Sequence, residues 1–594
     1  MLLLYDTDEF FIPFIWKKQF LHLILQNENY KSNAMKILKK LTFIASLLQS
    51  FFSFCYSENY NEGKTYFVKP IDVVCDYPFN DTTKWAITCR VWGLLKYFHT
   101  NVTAGKFDWD QVLIETIGKI NEARTPEQVN NELMQMIRIA GDYNYSKDTS
   151  WNDSLNMNVN LCWLEHSFIN DSIRQALRAI SSMSIAQPSH YIKPHENMAS
   201  VPYPNEKEYG VETILTFEYR LLALFRYWNV IYYFYPYKYL MDQSWDVMLS
   251  EFIPQFMTAL DSATYHIAVN KLSTRLNDGH GFTNASSSPI YNQLNFKYIV
   301  KIDSSTVVRT PFEGSLLEKG DIILSIDGQN IQSVRDSIAS LIVSSNKHFT
   351  DNGVNCSIFF TFRTGCQLTI LRNEQVMTIN EKRKFYSIDP DSASYHRISP
   401  TIGYVNLDKL KDSVIPSMID SLNDCKGIIF DLRNYPLNFR SWDIISHLSS
   451  TQEYHYALAT EVDFFHYGAF FKYDCVTKCP DSLWQARKSY TGKTVVLVNA
   501  ATMSWAETLS MMFRIHGATI VGTPTAGANG NVVRFSLPGQ ITVQYSGIGF
   551  YYPDGTQMQR TGIIPDIEVY PTMDDIMAGR DEVLEAAISF LNSN

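Results

Sequence analysis

The sequence lacks the signals of a nucleic-acid-binding or metal-binding protein. Asp and Glu outnumber Lys and Arg by 61 to 51 and no basic stripe is present, so a phosphate backbone is not an expected partner. The nine cysteines are scattered, and the one close pair, Cys475 and Cys479, has no second pair or histidine nearby to complete a zinc site. We therefore predict no metal and no cofactor, and at most one local disulfide, between these two cysteines.

The N-terminus also lacks a hydrophobic run long enough to span a membrane. The apolar stretch Leu41–Phe54 is too short for a comfortable span, but lysines precede it and small residues follow it up to Ser57. This order is typical of a signal peptide, which we place at residues 35–57, with residues 1–34 as an upstream or mis-assigned start. The mature protein would be exported to the periplasm, the cell surface or the extracellular space, without a membrane span. A buried or anchoring helix, and a lipid on Cys55, remain open alternatives.

Apolar and aromatic residues are abundant, at 45% and 14% of the chain, which is enough for several hydrophobic cores. At about 150 residues per domain, 594 residues suggest three or four units. We predict a multidomain α+β protein with a helical N-terminal region, a β module and an α/β core. The expected boundaries are 58–185 for a first helical unit, 186–210 for a linker, 211–290 for a second helical unit, 291–385 for the β module and 386–594 for the α/β core.

Two segments of the helical region resemble each other. The first is Arg90–Phe98 followed by Trp109, and the second is Arg220–Trp228 followed by Trp245, about 130 residues later. Each has the pattern of an amphipathic helix, an aromatic-rich turn and a second helix that begins near Trp-Asp. We interpret them as a duplicated helical unit whose aromatic residues form the packing core.

From about residue 295 the pattern changes to that of β-structure. Residues Gly314–Gln329 contain a Gly-Asp turn, a short run with period-two alternation and an Asp-Gly hairpin turn. This stretch resembles a PDZ domain, a module that takes peptides by adding a strand to the edge of a sheet.

After Pro400 the pattern becomes an alternation of strands and helices. Buried apolar runs alternating with helices indicate a largely parallel sheet, whose ligands lie past the carboxyl ends of the strands. The predicted strands are 402–407, 427–433, 494–499 and 518–522, and the predicted helices are 413–422 and 504–516.

Ser504 lies a few residues past one of these predicted strands, at the start of a helix. A hydroxyl at this place stands beside the free amides and the positive end of the helix, which can hold an oxyanion formed when the hydroxyl attacks a carbonyl. Ser504 can instead simply cap the helix, with Glu507 completing a capping box. The local sequence leaves both interpretations open.

A serine nucleophile needs a base, and the sequence restricts the choice. No lysine follows Ser504, and arginine cannot act as a base at ordinary pH. Histidine is left, and His280 has the most suggestive setting, because glycines on both sides allow its ring to project into a cleft. His516 lies about three helical turns from Ser504 and is expected to point elsewhere.

Several blocks together resemble peptidase family S41, which includes C-terminal processing (tail-specific) peptidases and the tricorn core protease. The blocks are Asp278-Gly279-His280, the PDZ-like Gly314–Gln329, Asp431–Pro436, Ser504-Trp505-Ala506-Glu507, Gly522–Gly527 and Gly562–Asp566. The resemblance implies a PDZ-like module, a ClpP/crotonase-like catalytic core and Ser504 as the nucleophile. Because Ala528 replaces the lysine of the Ser–Lys branch, it also implies the His-containing branch, with His280 as the general base.

The resemblance departs from the family pattern at the group that orients the histidine. The His-containing branch has a glutamate three residues before the glycine of the last block, where this chain has Gln559. Gln559 is expected to orient the ring through its amide oxygen, without the charge that stabilises imidazolium. Asp278, Glu507 and Asp554 are the possible substitutes for the missing carboxylate.

The expected oxyanion hole differs from that of relatives as well. Pro436 has no amide hydrogen, so the resemblance leaves the backbone amides of Leu437 and Trp505 as donors. The expected function is that of a secreted serine endopeptidase or C-terminal-processing-type peptidase that acts on a peptide or protein. The alternatives are a catalytically inactive S41-like peptide-binding protein, an ester-directed serine hydrolase and a carrier of apolar ligands.

Overall fold

The computed structural model describes residues 78–142, 156–182, 189–193, 203–285, 298–311, 314–358, 365–382, 393–436 and 441–593. These residues all belong to one compact unit, Thr65–Asn594. The predicted signal peptide, Cys55 and Leu437 lie outside the described residues. Among the residues described, no helix has the length and apolarity that crossing a membrane requires.

The N-terminal region is helical, as predicted. Its helices are α1 (Asp81–Phe98), α2 (Thr100–Thr103), α3 (Trp109–Glu122), α4 (Pro126–Ala140), α5 (Asp171–Ser181), α6 (Phe217–Phe234), α7 (Trp245–Met257) and α8 (Ser262–Thr274), with 3-10 turns at Cys162–Glu165, Val211–Leu215 and Lys238–Leu240. Two short strands, β1 (Asn156–Met157) and β2 (Phe282–Thr283), belong to the same part of the chain. Side-chain oxygens cap α1, α3, α4, α7 and α8, which explains where these helices begin.

The duplication is present, but its register differs from the expected one. Helices α6, α7 and α8 each begin 136 residues after α1, α3 and α4. Arg90 therefore corresponds to Arg226 and not to Arg220. In each copy two tryptophans exchange hydrogen bonds, each indole N–H donating to the other's carbonyl oxygen; the pairs are Trp92 with Trp109, and Trp228 with Trp245. The positions of the helices decide between pairing Arg90 with Arg220 and pairing it with Arg226, because both alignments place arginine and aromatic residues in a similar order.

The two copies contact each other reciprocally. Arg90 of the first copy lies 2.5 Å from Asp246 of the second, and Arg226 of the second lies 2.5 Å from Asp110 of the first. The equivalent positions Gly93 and Asn229 meet between them, since a Cβ on Gly93 would lie 1.8 Å from Asn229 Oδ1. When one residue of the first copy contacts a second residue of the other copy, and the reverse pair is also in contact, the two copies have a two-fold arrangement.

Residues 298–382 form a smaller β unit. Its strands are β3 (Ile299–Ile302), β4 (Ser305–Val308), β5 (Ile322–Ile326), β6 (Gln329–Asn330), β7 (Gly365–Arg372) and β8 (Gln375–Lys382), and its helices are α9 (Ile331–Ala339) and α10 (Lys347–Ser357). The sheet order is β3-β4-β5-β7-β8, all antiparallel. Asp327 and Gly328 have φ of 50° and 78°, as the predicted Asp-Gly hairpin turn requires.

The C-terminal region is the α/β core. Its strands are β9 (Tyr395–Ser399), β10 (Ile402–Asn406), β11 (Gly427–Asp431), β12 (Glu453–Val462), β13 (Ala469–Lys478), β14 (Lys493–Val498), β15 (Thr519–Gly522), β16 (Val532–Leu537), β17 (Ile541–Ser546), β18 (Gly549–Tyr551) and β19 (Ile567–Glu568). Its helices are α11 (Ile415–Leu422), α12 (Ser441–Leu448), α13 (Asp481–Ala486), α14 (Trp505–Ile515), α15 (Met573–Ala578) and α16 (Glu582–Asn592), with a 3-10 turn at Asp412–Val414.

The central sheet of this core has the order β19-β15-β14-β11-β10-β9. Every neighbouring pair is parallel except β9 with β10, which confirms the predicted parallel sheet. Apolar residues of α14 pack on one face and those of α16 on the other, so the strands between them are buried on both sides. The carboxyl ends of β11 and β14 therefore lie at the same edge of the sheet.

A three-stranded sheet, β16-β17-β2, joins the helical region to the core. Strand β2 directly follows the predicted base loop, and it pairs with β17 through Phe282–Gln544 and Thr283–Val543. Apolar residues of β16 and β17 belong to the same hydrophobic core as the helices. This pairing brings the loop around His280 to the C-terminal part of the chain.

The disulfide considered between Cys475 and Cys479 is not formed, because both thiols are free. Cys475 lies in β13 and Cys479 one residue past its end. Four residues of extended chain span about 13 Å, whereas the Cα atoms of a disulfide lie about 4.4–6.8 Å apart. The extended strand keeps the two sulfurs apart.

Candidate active site

Ser504 lies at the turn between β14 and α14, at the carboxyl edge of the parallel sheet. Its backbone has φ 55° and ψ −122°, a region that costs a non-glycine residue about 1–3 kcal/mol. Its N–H donates to the carbonyl oxygen of Ala528 at 2.8 Å and to Glu507 Oε2 at 3.2 Å. These contacts hold the strained turn, and strain of this kind occurs most often at functional sites.

Glu507 is fully buried directly behind this turn. Besides the Ser504 N–H, its carboxyl group accepts hydrogen bonds from the Thr525 hydroxyl, from the Gly527 N–H at 2.8 Å and from the Ala528 N–H at 3.1 Å. Burial raises the pKa of Glu507 to about 8, against the lowering effect of its four donors. Glu507 therefore fastens the segment 525–528 to the nucleophile turn, since within the described residues its carboxyl group accepts hydrogen bonds from this segment and from Ser504.

Of the two predicted oxyanion donors, the structure describes Trp505 but not Leu437. Leu437 lies outside the described residues. Trp505 is the first residue of α14, and within the described part of the chain its backbone N–H has no acceptor. The Thr502 hydroxyl donates to the carbonyl oxygen of Leu432 at 2.9 Å, which ties the nucleophile turn to the loop that follows β11. Arg433 of that loop pairs with Asp431 and also with Asp581.

His280 lies in the loop between α8 and β2 and is buried, with 4% of its surface exposed. Its Nδ1 lies 2.9 Å from the Oγ of Ser546, the last residue of β17. The Ser546 hydroxyl donates to Asp278 Oδ1 at 2.9 Å. A serine hydroxyl has a single hydrogen, so Ser546 accepts from Nδ1–H, and the lone pair of His280 is on Nε2.

Asp278 is the carboxylate of this arrangement. In addition to the Ser546 hydroxyl, it accepts from the His280 N–H at 3.1 Å, the Ser546 N–H at 2.7 Å and the Gln559 amide N–H at 3.0 Å. Four hydrogen-bond donors therefore converge on this fully buried carboxyl group. Of the three substitutes considered for the missing glutamate, Asp278 is thus the one that reaches the ring, through Ser546.

Gln559 contacts Asp278 with its amide nitrogen, and its amide oxygen accepts from the Asn529 N–H at 3.2 Å. The expectation that its oxygen orients the ring is therefore not met, because that oxygen is used by the backbone of 529. Asp554 is exposed and accepts from the Thr556 N–H within its own turn. His516 packs its ring against Tyr454, with the centroids 4.6 Å apart.

The base loop and the nucleophile turn meet at Ala528. A Cβ built on Gly279 would lie 2.9 Å from the Ala528 Cβ, and the carbonyl oxygen of Ala528 accepts from the Ser504 N–H. The base loop thus occupies the space that a longer side chain at 528 would need, which fits the absence of a lysine there. Ser345 and Asn346 bridge the two parts, since Gly279 N–H donates to Ser345 Oγ and the Asn346 amide donates to the carbonyl oxygens of residues 525 and 526.

The protonation of His280 follows from its surroundings. Burial lowers the pKa of His280, and the nearby Asp278 partly opposes this shift. The ring is therefore neutral at physiological pH, and its unprotonated Nε2 is suited to accept a proton.

Ser546 was missed by the sequence analysis, and no local signal marks it. It is 266 positions away from His280 in the chain, and only the pairing of β17 with β2 brings the two together.

Comparison with known protein families gives a match over part of the chain. The sequence profile described as Peptidase family S41 matches residues 401–569, the part of the chain that carries Ser504. No curated protein matches the chain.

Solved structures are similar over about two thirds of the chain. The structure of mature CPAF complexed with lactacystin is 13% identical, covers 64% of this chain and 99% of its own, and has a TM-score of 0.50. A protein from Parabacteroides merdae assigned as a peptidase (18% identity, 63% of this chain, 96% of its own, TM-score 0.40) and the photosystem II D1 C-terminal processing protease (16%, 61%, 98%, 0.35) are also similar. The CPAF structure supports the fold. The similarity of this chain to peptidase family S41 thus covers residues 401–569.

Proposed function

We propose that the protein hydrolyses peptide bonds through an acyl-enzyme on Ser504, with His280 as the general base. The observation that carries this proposal is the chain of hydrogen bonds from His280 Nδ1 through Ser546 to Asp278, because it fixes the tautomer in which Nε2 is the proton acceptor. A buried carboxylate at the end of that chain also stabilises the imidazolium that forms.

The reaction follows the roles of these groups. Nε2 of His280 takes the hydroxyl proton as Ser504 Oγ bonds to the carbonyl carbon, and the oxyanion is held by the backbone amide of Trp505 and a donor from the loop after β11. His280 then gives its proton to the leaving amine as the C–N bond breaks. A water molecule next loses its proton to His280, attacks the acyl carbon and releases the acid, and Ser504 regains its proton.

The β unit 298–382 would act as the PDZ-like module that presents the peptide. Its antiparallel sheet flanked by α9 and α10 is compatible with this role, and its residues Ser345 and Asn346 contact both the base loop and the segment 525–526. We infer in the same way that the core has the ClpP/crotonase-like fold. Export of the protein after removal of residues 35–57 rests on the N-terminal sequence; secretion of a full-length fusion, with the new N-terminus sequenced, tests it.

The test of the catalytic roles compares Ser504→Ala and His280→Ala with matched variants. Ser510→Ala removes a buried hydroxyl from the same helix, where it bonds the Ala506 carbonyl oxygen, and His516→Ala removes the histidine that packs on Tyr454. We expect no peptide hydrolysis and no labelling by a fluorophosphonate probe in the first two variants, and both in the controls. A wild-type protein that does not label would favour the alternative, a catalytically inactive peptide-binding protein. Full activity of Ser504→Ala would exclude Ser504 as the nucleophile.

A further inference from the structure

Four buried charges in the helical region play no part in the proposed chemistry. Lys96, Asp110, Glu206 and Arg226 have side chains no more than 6% exposed. Glu206 lies 2.7 Å from Lys96 Nζ and 2.8 Å from Arg226 Nε, and Asp110 lies 2.5 Å from Arg226 Nη2. Two acids and two bases compensate each other, as charges that are removed from water must. We call these four residues the charge cluster.

The charge cluster fastens one segment, Tyr203–Tyr209, which we call the strap. Glu206 belongs to the strap and is one of the four charges. Arg226 Nη1 donates to the carbonyl oxygen of Lys207 at 3.0 Å, and the Tyr209 hydroxyl donates to Asp110 Oδ2 at 3.0 Å. The strap is therefore held at both its middle and its end by charged partners on α3 and α6.

The strap and the charge cluster in turn hold the hairpin of β16 and β17. Arg226 Nη1 donates to the Ser536 carbonyl oxygen at 2.7 Å, and the Gly539 N–H donates to the carbonyl oxygen of Tyr209 at 3.1 Å. The hydroxyls of Tyr203 and Tyr545 lie 2.6 Å apart. The hairpin is thus attached along β16, at its turn and at the far end of β17.

The contact between the Tyr203 and Tyr545 hydroxyls lies one residue away from Ser546, the hydrogen-bond partner of the general base. Tyr545 precedes Ser546, which bonds His280 Nδ1, and follows Gln544, whose amide donates to the His280 carbonyl oxygen at 2.8 Å. The position of β17 therefore sets the position of the imidazole ring.

The other ion pair between the two copies, Arg90 with Asp246, offers an internal control. Arg90 and Asp246 occupy the positions equivalent to Arg226 and Asp110, and Arg90 also lies over the Trp228 ring at 5.4 Å. At the position equivalent to Lys96 stands Tyr232, which donates to the carbonyl oxygen of Asn160. The two pairs are alike in burial and geometry, but the contacts to the strap and to β16 belong to Arg226 and Asp110.

We propose that the charge cluster and the strap are positioning residues for the general base: they hold β17 so that Ser546 keeps the His280 ring in its working orientation. This inference rests on the proposed function of His280. It assigns a role to the first helical unit, which supplies Lys96 and Asp110 and is remote from Ser504 in sequence.

The experiment uses two pairs of variants in the full-length protein. Tyr203→Phe removes one hydroxyl from the strap, and Tyr490→Phe removes a buried hydroxyl that bonds the Cys425 carbonyl oxygen at the amino end of β11. Asp110→Asn and Asp246→Asn neutralise the equivalent carboxylates of the two copies. For each variant, kcat and KM on a peptide, thermal unfolding, and the titration of the His280 ring by NMR in a Ser504→Ala background are measured.

We expect Tyr203→Phe to lower kcat about threefold to tenfold with little change in KM, and to shift the His280 titration, because one hydrogen bond on β17 is lost. Tyr490→Phe should leave kcat and the titration unchanged. Asp110→Asn and Asp246→Asn should lower the unfolding temperature similarly, but only the former should change kcat and the titration.

Two results would overturn the proposal: an unchanged His280 titration in Tyr203→Phe, or an equal effect of Asp246→Asn and Asp110→Asn on folded protein. If Asp110→Asn does not fold, Tyr203→Phe decides. The NMR measurement does not require turnover, so failure of the peptidase assignment would appear as absent wild-type activity with the His280 shift still observed.

Discussion

The nucleophile side of the candidate site comes from one stretch of chain, Ser504 to Asn529, whereas the base side joins His280 to Ser546, 266 positions away. On the first side a strand, a turn and a helix follow each other, and Glu507 binds the returning loop. On the second side a loop from the helical region meets a hairpin of the core. Local sequence builds the first side, and the pairing of β2 with β17 builds the second, so the base side is expected to be more sensitive to changes at a distance.

Among the variants that compare the two sides, the largest effect is expected on the base side, from Asp278→Asn. An amide would offer a donor where Ser546 and Gln559 also donate. The chain of hydrogen bonds from His280 through Ser546 to residue 278 would therefore break, and the histidine would lose its fixed tautomer. We expect kcat to fall on the order of 10²–10⁴-fold with a small change in KM. Steady-state kinetics measure this, and Asp554→Asn, at an exposed turn, is the matched control. A loss of less than about threefold would show that the carboxylate does not act on the base.

The next largest effect is expected from a change in the middle of this hydrogen-bond chain, at Ser546. Ser546→Ala removes the hydroxyl between His280 and Asp278, and we expect kcat to fall on the order of 10–100-fold, because the ring keeps its packing but loses its hydrogen-bond partner. Ser546→Thr keeps a hydroxyl and should restore part of the rate. Equal rates in the two variants would contradict a role for the hydroxyl.

On the nucleophile side, Glu507→Gln is expected to lower both stability and rate. The amide nitrogen would face backbone N–H groups that now donate to the carboxyl oxygens, at a cost of about 1–3 kcal/mol. Because the pKa of Glu507 is raised to about 8, denaturant unfolding and kcat are best compared at about pH 6, where the wild-type carboxyl group is protonated and the two side chains carry the same charge. A variant as stable as the wild type at that pH would show that the four donors do not need the carboxyl group.

The last test is a pH dependence, which separates the two sides. Burial lowers the pKa of His280 below its usual 6.5, so the midpoint of the acid limb in the pH profile of kcat/KM should lie below pH 6.5. Glu507 keeps its proton up to about pH 8 when folded but loses it near 4.5 when unfolded, so stability should decrease as pH rises from 4.5 to 8. Glu507→Gln should remove the second dependence and keep the first; an acid limb above 6.5 would contradict the neutral, buried base.

The α/β core was the most predictable part of the fold. Strands such as Gly427–Asp431 are continuous apolar runs, and helix α14 has a capping residue and an amphipathic pattern, so short-range sequence carries the necessary information. The duplication was visible, but its register was not, because aromatic residues occur at similar intervals in both alignments. The disulfide considered between Cys475 and Cys479 does not form, because an extended strand separates the two residues.

The sequence by itself determined the residue types that limit the chemistry: a serine at the start of a helix, no lysine after it, and a histidine between glycines. It also determined the order of strands and helices in the core, since periodicity depends on neighbours a few positions apart. Only the tertiary structure decided that Asp278 is the carboxylate that reaches the ring, that Ser546 stands between them, and that the charge cluster holds β17. These groups meet through strand pairing and packing of segments hundreds of residues apart, which no local pattern encodes.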